Sequence, residues 1–105
     1  ILTTIAPPEK DPSGELRQRI EPYNNLLRSL AAAKGVPLAD VSEAMEKAYV
    51  ENPEARLMFD GARFNRDGSI LMVESLLQAM GHGATITPEL RRVWKEAPAY
   101  FKRYQ

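Results

Sequence analysis

The chain contains no cysteine, which excludes disulfide staples and thiolate metal sites and fits a reducing or an oxidising compartment equally. It has a single histidine, His82, so any imidazole chemistry within the chain depends on that residue. Fourteen basic and fourteen acidic residues cancel, and no long-range field draws the chain toward nucleic acid or an anionic membrane. No apolar run approaches the roughly 20 residues that span a bilayer. The opening run Ile1–Ile5 is apolar from its first residue, with no basic leader, and does not read as a signal peptide. One histidine without cysteine leaves only carboxylates for a metal, and no Asp/Asn loop has Ca²⁺ spacing. Neither metal nor cofactor is expected.

What remains is an ordinary globular composition, 44% hydrophobic and 27% charged over 105 residues, enough for one domain or part of one. Ile1–Ile5 reads as a buried strand paired on both sides. The three prolines and the glycine of residues 6–14 force a loop after it. Ile20, Tyr23, Leu26, Leu27 and Leu30 then form a helical stripe, with Pro22 a kink or a fresh start and Gly35 the stop. Val36–Val41 reads as a second strand, and a strand, a helix and a strand of these lengths predict a parallel βαβ unit. Ser42 is expected to cap the next helix, and Asn52-Pro53-Glu54 to restart it.

Met58 to Gly81 organises the second half. Asn65 is placed to cap a helix, Asp67 adds negative charge at its positive end, and Gly81 supplies a left-handed stop. Ile70, Val73, Leu76, Leu77 and Met80 give that helix an apolar stripe. Thr87-Pro88-Glu89 announces a last helix, followed by the aromatic tail Tyr100, Phe101 and Tyr104. Arg91-Arg92-Val93-Trp94-Lys95 with Phe101-Lys102-Arg103-Tyr104 interleaves basic and aromatic residues, which reads either as the solvated face of an amphipathic helix or as a nucleic-acid patch.

Asp60-Gly-Ala-Arg63-Phe-Asn65, with Gly68 three residues on, resembles the last block of the SGNH (GDSL-type) hydrolases, Asp-x-x-His-x-Asn/Thr-x-x-Gly. Tyr23-Asn24 and Leu27-Arg28-Ser29-Leu30-Ala31 are similar to the helix that family carries after a Pro-containing loop. The resemblance covers Ile1 to about Gly81. It implies an α/β fold, the C-terminal part of a three-layer α/β/α (flavodoxin-like) domain with parallel strands. On that reading residues 1–81 are the C-terminal half of the domain and 82–105 a helical extension.

The implied activity is ester hydrolysis through an acyl-serine, of the esterase or lipase class, with the nucleophile upstream. Ser13, Ser29, Ser42, Ser69 and Ser75 lie in none of the family's nucleophile contexts. Asp60 falls at the position that orients the catalytic base, and Arg63 occupies the histidine position. A guanidinium stays protonated and has no acceptor, so Arg63 suits an ion pair with Asp60, anion capture or a solvated surface. His82, between two glycines, reads as a loop residue or as a displaced base. The alternative is a non-catalytic relative binding an acyl, carbohydrate or anionic ligand, or a protein. The chain is expected to be a fragment, whose partner is the N-terminal half of the domain or a second chain supplying strands and a serine. The compartment stays open, cytoplasmic or exported.

Overall fold

The computed structural model describes residues 1–9, 11–61 and 63–96. Proline and side-chain capping decide how long each element becomes. β1 is only Leu2–Thr3, because Pro7 and Pro8 close off the run that begins at Ile1. β2 is Leu38–Ala39, confined between Pro37 and the helix cap at Asp40. The two pair in parallel, with Leu2 opposite Leu38 and Thr3 opposite Ala39. Leu2 N–H donates to the Pro37 carbonyl (2.9 Å) and Thr4 N–H to the Ala39 carbonyl (3.2 Å).

Helix α1, Glu15–Lys34, crosses between the strands. It starts well before Ile20 because Asp11 accepts from the amides of Leu16 (3.3 Å) and Arg17 (3.0 Å), which satisfies first-turn donors. Pro22 neither starts nor divides it, and lies inside one continuous helix on an exposed side. Gly35 ends it in the left-handed region, φ 64°. The buried face of α1 is Asn24 and Ala31, flanked by half-buried Ile20 and Leu27. Tyr23, Leu26 and Leu30 of the expected stripe are exposed instead.

Helix α2, Val41–Glu51, is capped by Asp40 and not by Ser42. The Asp40 carboxylate accepts from Glu43 N–H (3.2 Å), whereas Ser42 N–H donates to the Thr4 hydroxyl (2.9 Å). Asn52 ends α2 and closes a turn onto Glu54 N–H (3.1 Å), so no helix restarts there. Helix α3, Arg66–Ala79, begins as expected, with the Asn65 side chain accepting from Gly68 N–H at 2.9 Å. Gly81, φ 80°, lets His82 N–H reach back to the Leu77 carbonyl (2.7 Å), a Schellman stop. The inward face of α3 carries Gly68, Leu71, Met72, Ser75, Leu76 and Ala79, while Val73 and Met80 of the expected stripe are exposed. A 3₁₀ turn, Gly83–Thr85, leads to α4, Pro88–Glu96, where the Thr87 hydroxyl accepts from Leu90 N–H (3.1 Å).

The core lies beneath β2, where Ala39, Val41, Met45, Leu57 and Met58 are buried against Leu71, Met72, Leu76 and Ala79 of α3. Helix α4 runs back antiparallel along α3. Arg66 donates to the Lys95 carbonyl (2.7 Å), and Arg91 forks onto the Glu74 carboxylate (2.7 and 3.2 Å). Tyr100, Phe101 and Tyr104 lie outside the described residues.

This architecture corrects the fold expected from the SGNH resemblance. Among the described residues the sheet has two strands, and the rest of the regular structure is helical, so the three-layer α/β/α sheet of that family is not built. The strands run parallel, and among the described residues β1 pairs with β2.

Candidate interaction site at the open edge of the sheet

Backbone alternation defines the site. Leu2 and Thr4 turn their amides toward β2, so the N–H and C=O of Thr3 point to the opposite edge. The side chains alternate as well. Thr4 hydrogen-bonds Asp40 (2.9 Å), which pairs with Arg28 of α1, so Leu2 and Thr4 face α1. Ile1, Thr3 and Ile5 share the other face with Ala39, and α3 covers that face beneath β2. Beneath β1 no described element covers it, and Ile1 is 55% and Ile5 45% exposed.

Asn24 marks where this edge stops. Its side chain, fully buried, accepts from Ile5 N–H (2.7 Å) and donates to the Ile5 carbonyl (3.0 Å), as the backbone of a neighbouring strand would. The free edge therefore runs from Ile1 to Thr3 and ends at an amide that already stands where the next strand would be.

The outer edge of β2 is built differently. Leu38 and Asp40 line a groove of about 370 Å³ with Glu43, Ala44 and Lys47 of α2 and Ser75, Gln78 and Ala79 of α3. Acidic and basic side chains guard that groove, a common device against edge pairing. A smaller cavity of about 190 Å³ lies between Pro7, Arg17, Ile20, Glu21, Asn24, Ser42 and Glu46.

The residues singled out from sequence lie elsewhere. Met58 bridges Phe64 in a short hairpin that turns at Gly61, φ 83°. Within it the Asp60 carboxylate accepts from the Arg63 amide and from Arg63 Nε, both at 2.7 Å. The guanidinium also lies 4.9 Å from the centroid of Phe59. Asp60 and Arg63 are thus brought together as an ion pair. His82 follows the end of α3 while Asp60 lies in the hairpin before its start. An ion pair as exposed as Arg63, 70% accessible, is worth little. Arg63→Ala is expected to shift stability by less than about 0.5 kcal/mol, which urea unfolding checks. Among the described residues no group of three or more His, Asp or Glu side chains could hold a metal.

The basic residues of α4 are largely neutralised, Arg91 by Glu74 and Arg92 by Glu96 at 3.0 Å. Lys102 and Arg103, which belong to the same basic and aromatic pattern, lie outside the described residues. No described helix is long and apolar enough to cross a membrane.

Sequence reasoning passed over the polar residues that fasten the sheet to its helices. Asp40-Val-Ser-Glu43 has the spacing of a capping box, a signal that points to Asp40 ahead of Ser42. Burial opposes ionisation of Asp40, but the Arg28 guanidinium and the donors of Glu43 and Thr4 outweigh it and hold the carboxyl below its ordinary range. Glu9 ties the first loop down by accepting from Leu57 N–H (2.8 Å) and the Tyr49 hydroxyl (3.4 Å). Burial, with the Glu9 charge beside it, pushes the Tyr49 phenol up to about 12.

No family model, curated protein or solved structure matches the chain. The expectation of an SGNH-type ester hydrolase is overturned by the two-stranded, mostly helical fold, which lacks that family's sheet, and with it goes the esterase and lipase reading.

Proposed function

We propose that the chain is a binding module that completes its sheet with an extended strand from a partner polypeptide, added along the outer edge of β1. The observation that supports this is the orientation of Thr3, whose backbone groups point away from β2 between exposed Ile1 and Ile5. Strand addition supplies main-chain hydrogen bonds for affinity and side-chain pockets for selectivity. A two-stranded sheet is marginal by itself, so a third strand stabilises the module as it binds. The β1 edge is favoured over the β2 edge because it is apolar, whereas charged side chains line the other.

Thr3→Pro isolates this function. Proline at position 3 removes only the outward donor, since Leu2 and Thr4 make the bonds to β2. Peptides selected from a displayed nine-residue random library are expected to be proline-free and rich in β-branched residues. Thr3→Pro is expected to weaken their binding about tenfold or more, consistent with loss of roughly 1.4 kcal/mol, with helical circular dichroism unchanged. Equal binding to the variant and the parent chain would remove the strand-addition reading.

A further inference from the structure

The cavity between α1 and α2 is bordered by a polar group that the fold leaves without a partner. Arg17, Ile20, Glu21 and Asn24 stand at i, i+3, i+4 and i+7, so they share one face of α1. Ser42 and Glu46, four residues apart, do the same on α2. These faces and Pro7 of the first loop enclose about 190 Å³. Pockets for drug-sized ligands run to roughly 300–1,000 Å³, whereas about 150 Å³ already takes a molecule the size of benzene. The space suits a small molecule.

Ser42 is only 6% exposed. Its N–H donates to the Thr4 hydroxyl, but its own hydroxyl makes no hydrogen bond among the described residues. Among them, no fully enclosed side-chain nitrogen or oxygen lacks a partner. The Ser42 hydroxyl therefore reaches open space, and the space that Ser42 borders is this cavity. A buried hydroxyl left unbonded is costly, so it favours an occupant that bonds it. Asn24 beside it offers less, because its side-chain oxygen and nitrogen are both engaged by Ile5.

Charge decides what kind of occupant fits. Arg17 is shared between Glu46 (2.7 Å) and Asp11 (3.7 Å), and Arg28 between Glu21 (2.9 Å) and Asp40 (2.7 Å). Four carboxylates thus stand against two guanidiniums. Glu21 and Glu46 line the cavity, and each bonds an arginine through its Oε1 alone. Their second oxygens and the Ser42 hydroxyl are three acceptors without a donor among the described residues. The start of α2 has little to offer an anion, since the amides of Ser42 and Glu43 are taken by Thr4 and Asp40. An ammonium has three donors and no acceptor, which matches the free acceptors. Pro7 and Ile20 supply an apolar wall for a short carbon chain.

We infer that this cavity binds a small primary ammonium compound, held through Glu21, Glu46 and Ser42 with its carbon chain against Pro7 and Ile20. The site is separate from the outer edge of β1, and its occupancy requires no added strand.

The test titrates the isotope-labelled 105-residue chain with n-butylammonium, butyrate and n-butanol at matched ionic strength, read by amide NMR shifts. n-Butylammonium is expected to give saturable shifts around Glu21, Ser42 and Glu46, with a Kd on the order of 1 mM. Butyrate is expected to give none, and n-butanol to bind about tenfold more weakly than the ammonium for want of charge-assisted hydrogen bonds. Ser42→Ala is expected to weaken ammonium binding about fivefold, the weight of one hydrogen bond. Glu46→Gln is expected to weaken it about tenfold. Both variants are expected to keep the helical circular dichroism of the parent chain. Butyrate or n-butanol binding as tightly as n-butylammonium overturns the ammonium assignment. Ammonium binding unchanged in either variant overturns the site, and so does the lack of a saturable shift with n-butylammonium in the millimolar range, which would leave the cavity to water.

Discussion

Asp40→Ala is expected to lower the stability of the chain by about 3 kcal/mol, roughly 1 from the lost helix cap and roughly 2 from the charge-assisted pair with Arg28. For a domain of this size that moves the thermal midpoint down by about 12–24 °C. The effect is large because one carboxylate joins four parts of the molecule. It caps α2 through Glu43 N–H, accepts from Thr4 beyond β1, and takes two bonds from Arg28 of α1 (2.7 and 3.3 Å) at the end of β2. Removing it leaves the Arg28 guanidinium with Glu21 and Asn25 only, both on its own helix.

The same group sets an acid limb. Because the folded carboxyl titrates below its ordinary value, its contribution is complete above the unfolded pKa of about 3.9 and is lost as pH falls below that through the folded pKa. Asp40→Asn is expected to be less stable than the parent near pH 7 and to show a flatter stability profile below about pH 4. Urea unfolding at several pH values measures both. A loss under about 1 kcal/mol at neutral pH, or an acid limb as steep in the variant as in the parent, would show that Asp40 is not the joint between the sheet and its helices.

How much of this was legible in the sequence depends on whether a local or a distant partner decides the structure. Asn65, Gly35, Gly81 and Thr87-Pro88 were readable because caps and stops are settled within a few residues. The faces of α1 and α3 were less so. Apolar spacing put Tyr23, Leu26 and Leu30 inward, yet Asn24 is inward and they are exposed. What turns α1 is polar, since Asn24 must satisfy Ile5 and Arg28 must reach Asp40. Neither requirement shows in a hydrophobic period. The SGNH resemblance failed for a related reason. Asp60 closes a hairpin turn onto Arg63 and Asn65 caps α3, so a pattern of turn and cap residues carried the likeness. Turn chemistry recurs wherever a hairpin feeds a helix, and it says nothing about how many strands lie beside it.

Gly68 completes that pattern, and its replacement is expected to reverse the usual sign of a substitution. Exchanging glycine for alanine inside a helix ordinarily stabilises by roughly 1 kcal/mol. Here a Cβ would fall onto the Leu57 carbonyl oxygen, with the Phe64 ring carbon Cδ1 at 2.9 Å and the Leu57 carbonyl carbon at 3.0 Å. The obstacle is backbone and cannot rotate away. Leu57 is also fixed in place, because its carbonyl accepts from Asn65 N–H (3.0 Å) and its amide donates to Glu9. Gly68→Ala therefore has to lift the first turn of α3 off the hairpin, pulling Leu71 and Met72 away from Met45, Leu57 and Met58. Overpacking at such a position costs about 3 kcal/mol or more. The control is Gly83→Ala, where the nearest atom is the flexible Gln78 Cγ at 3.2 Å and the change is expected to stay within about 1 kcal/mol. Urea unfolding of the two variants beside the parent chain separates them. A Gly68→Ala protein as stable as the parent would mean that α3 is not seated on the Leu57 carbonyl, and the packing of the hairpin against the core would have to be redrawn.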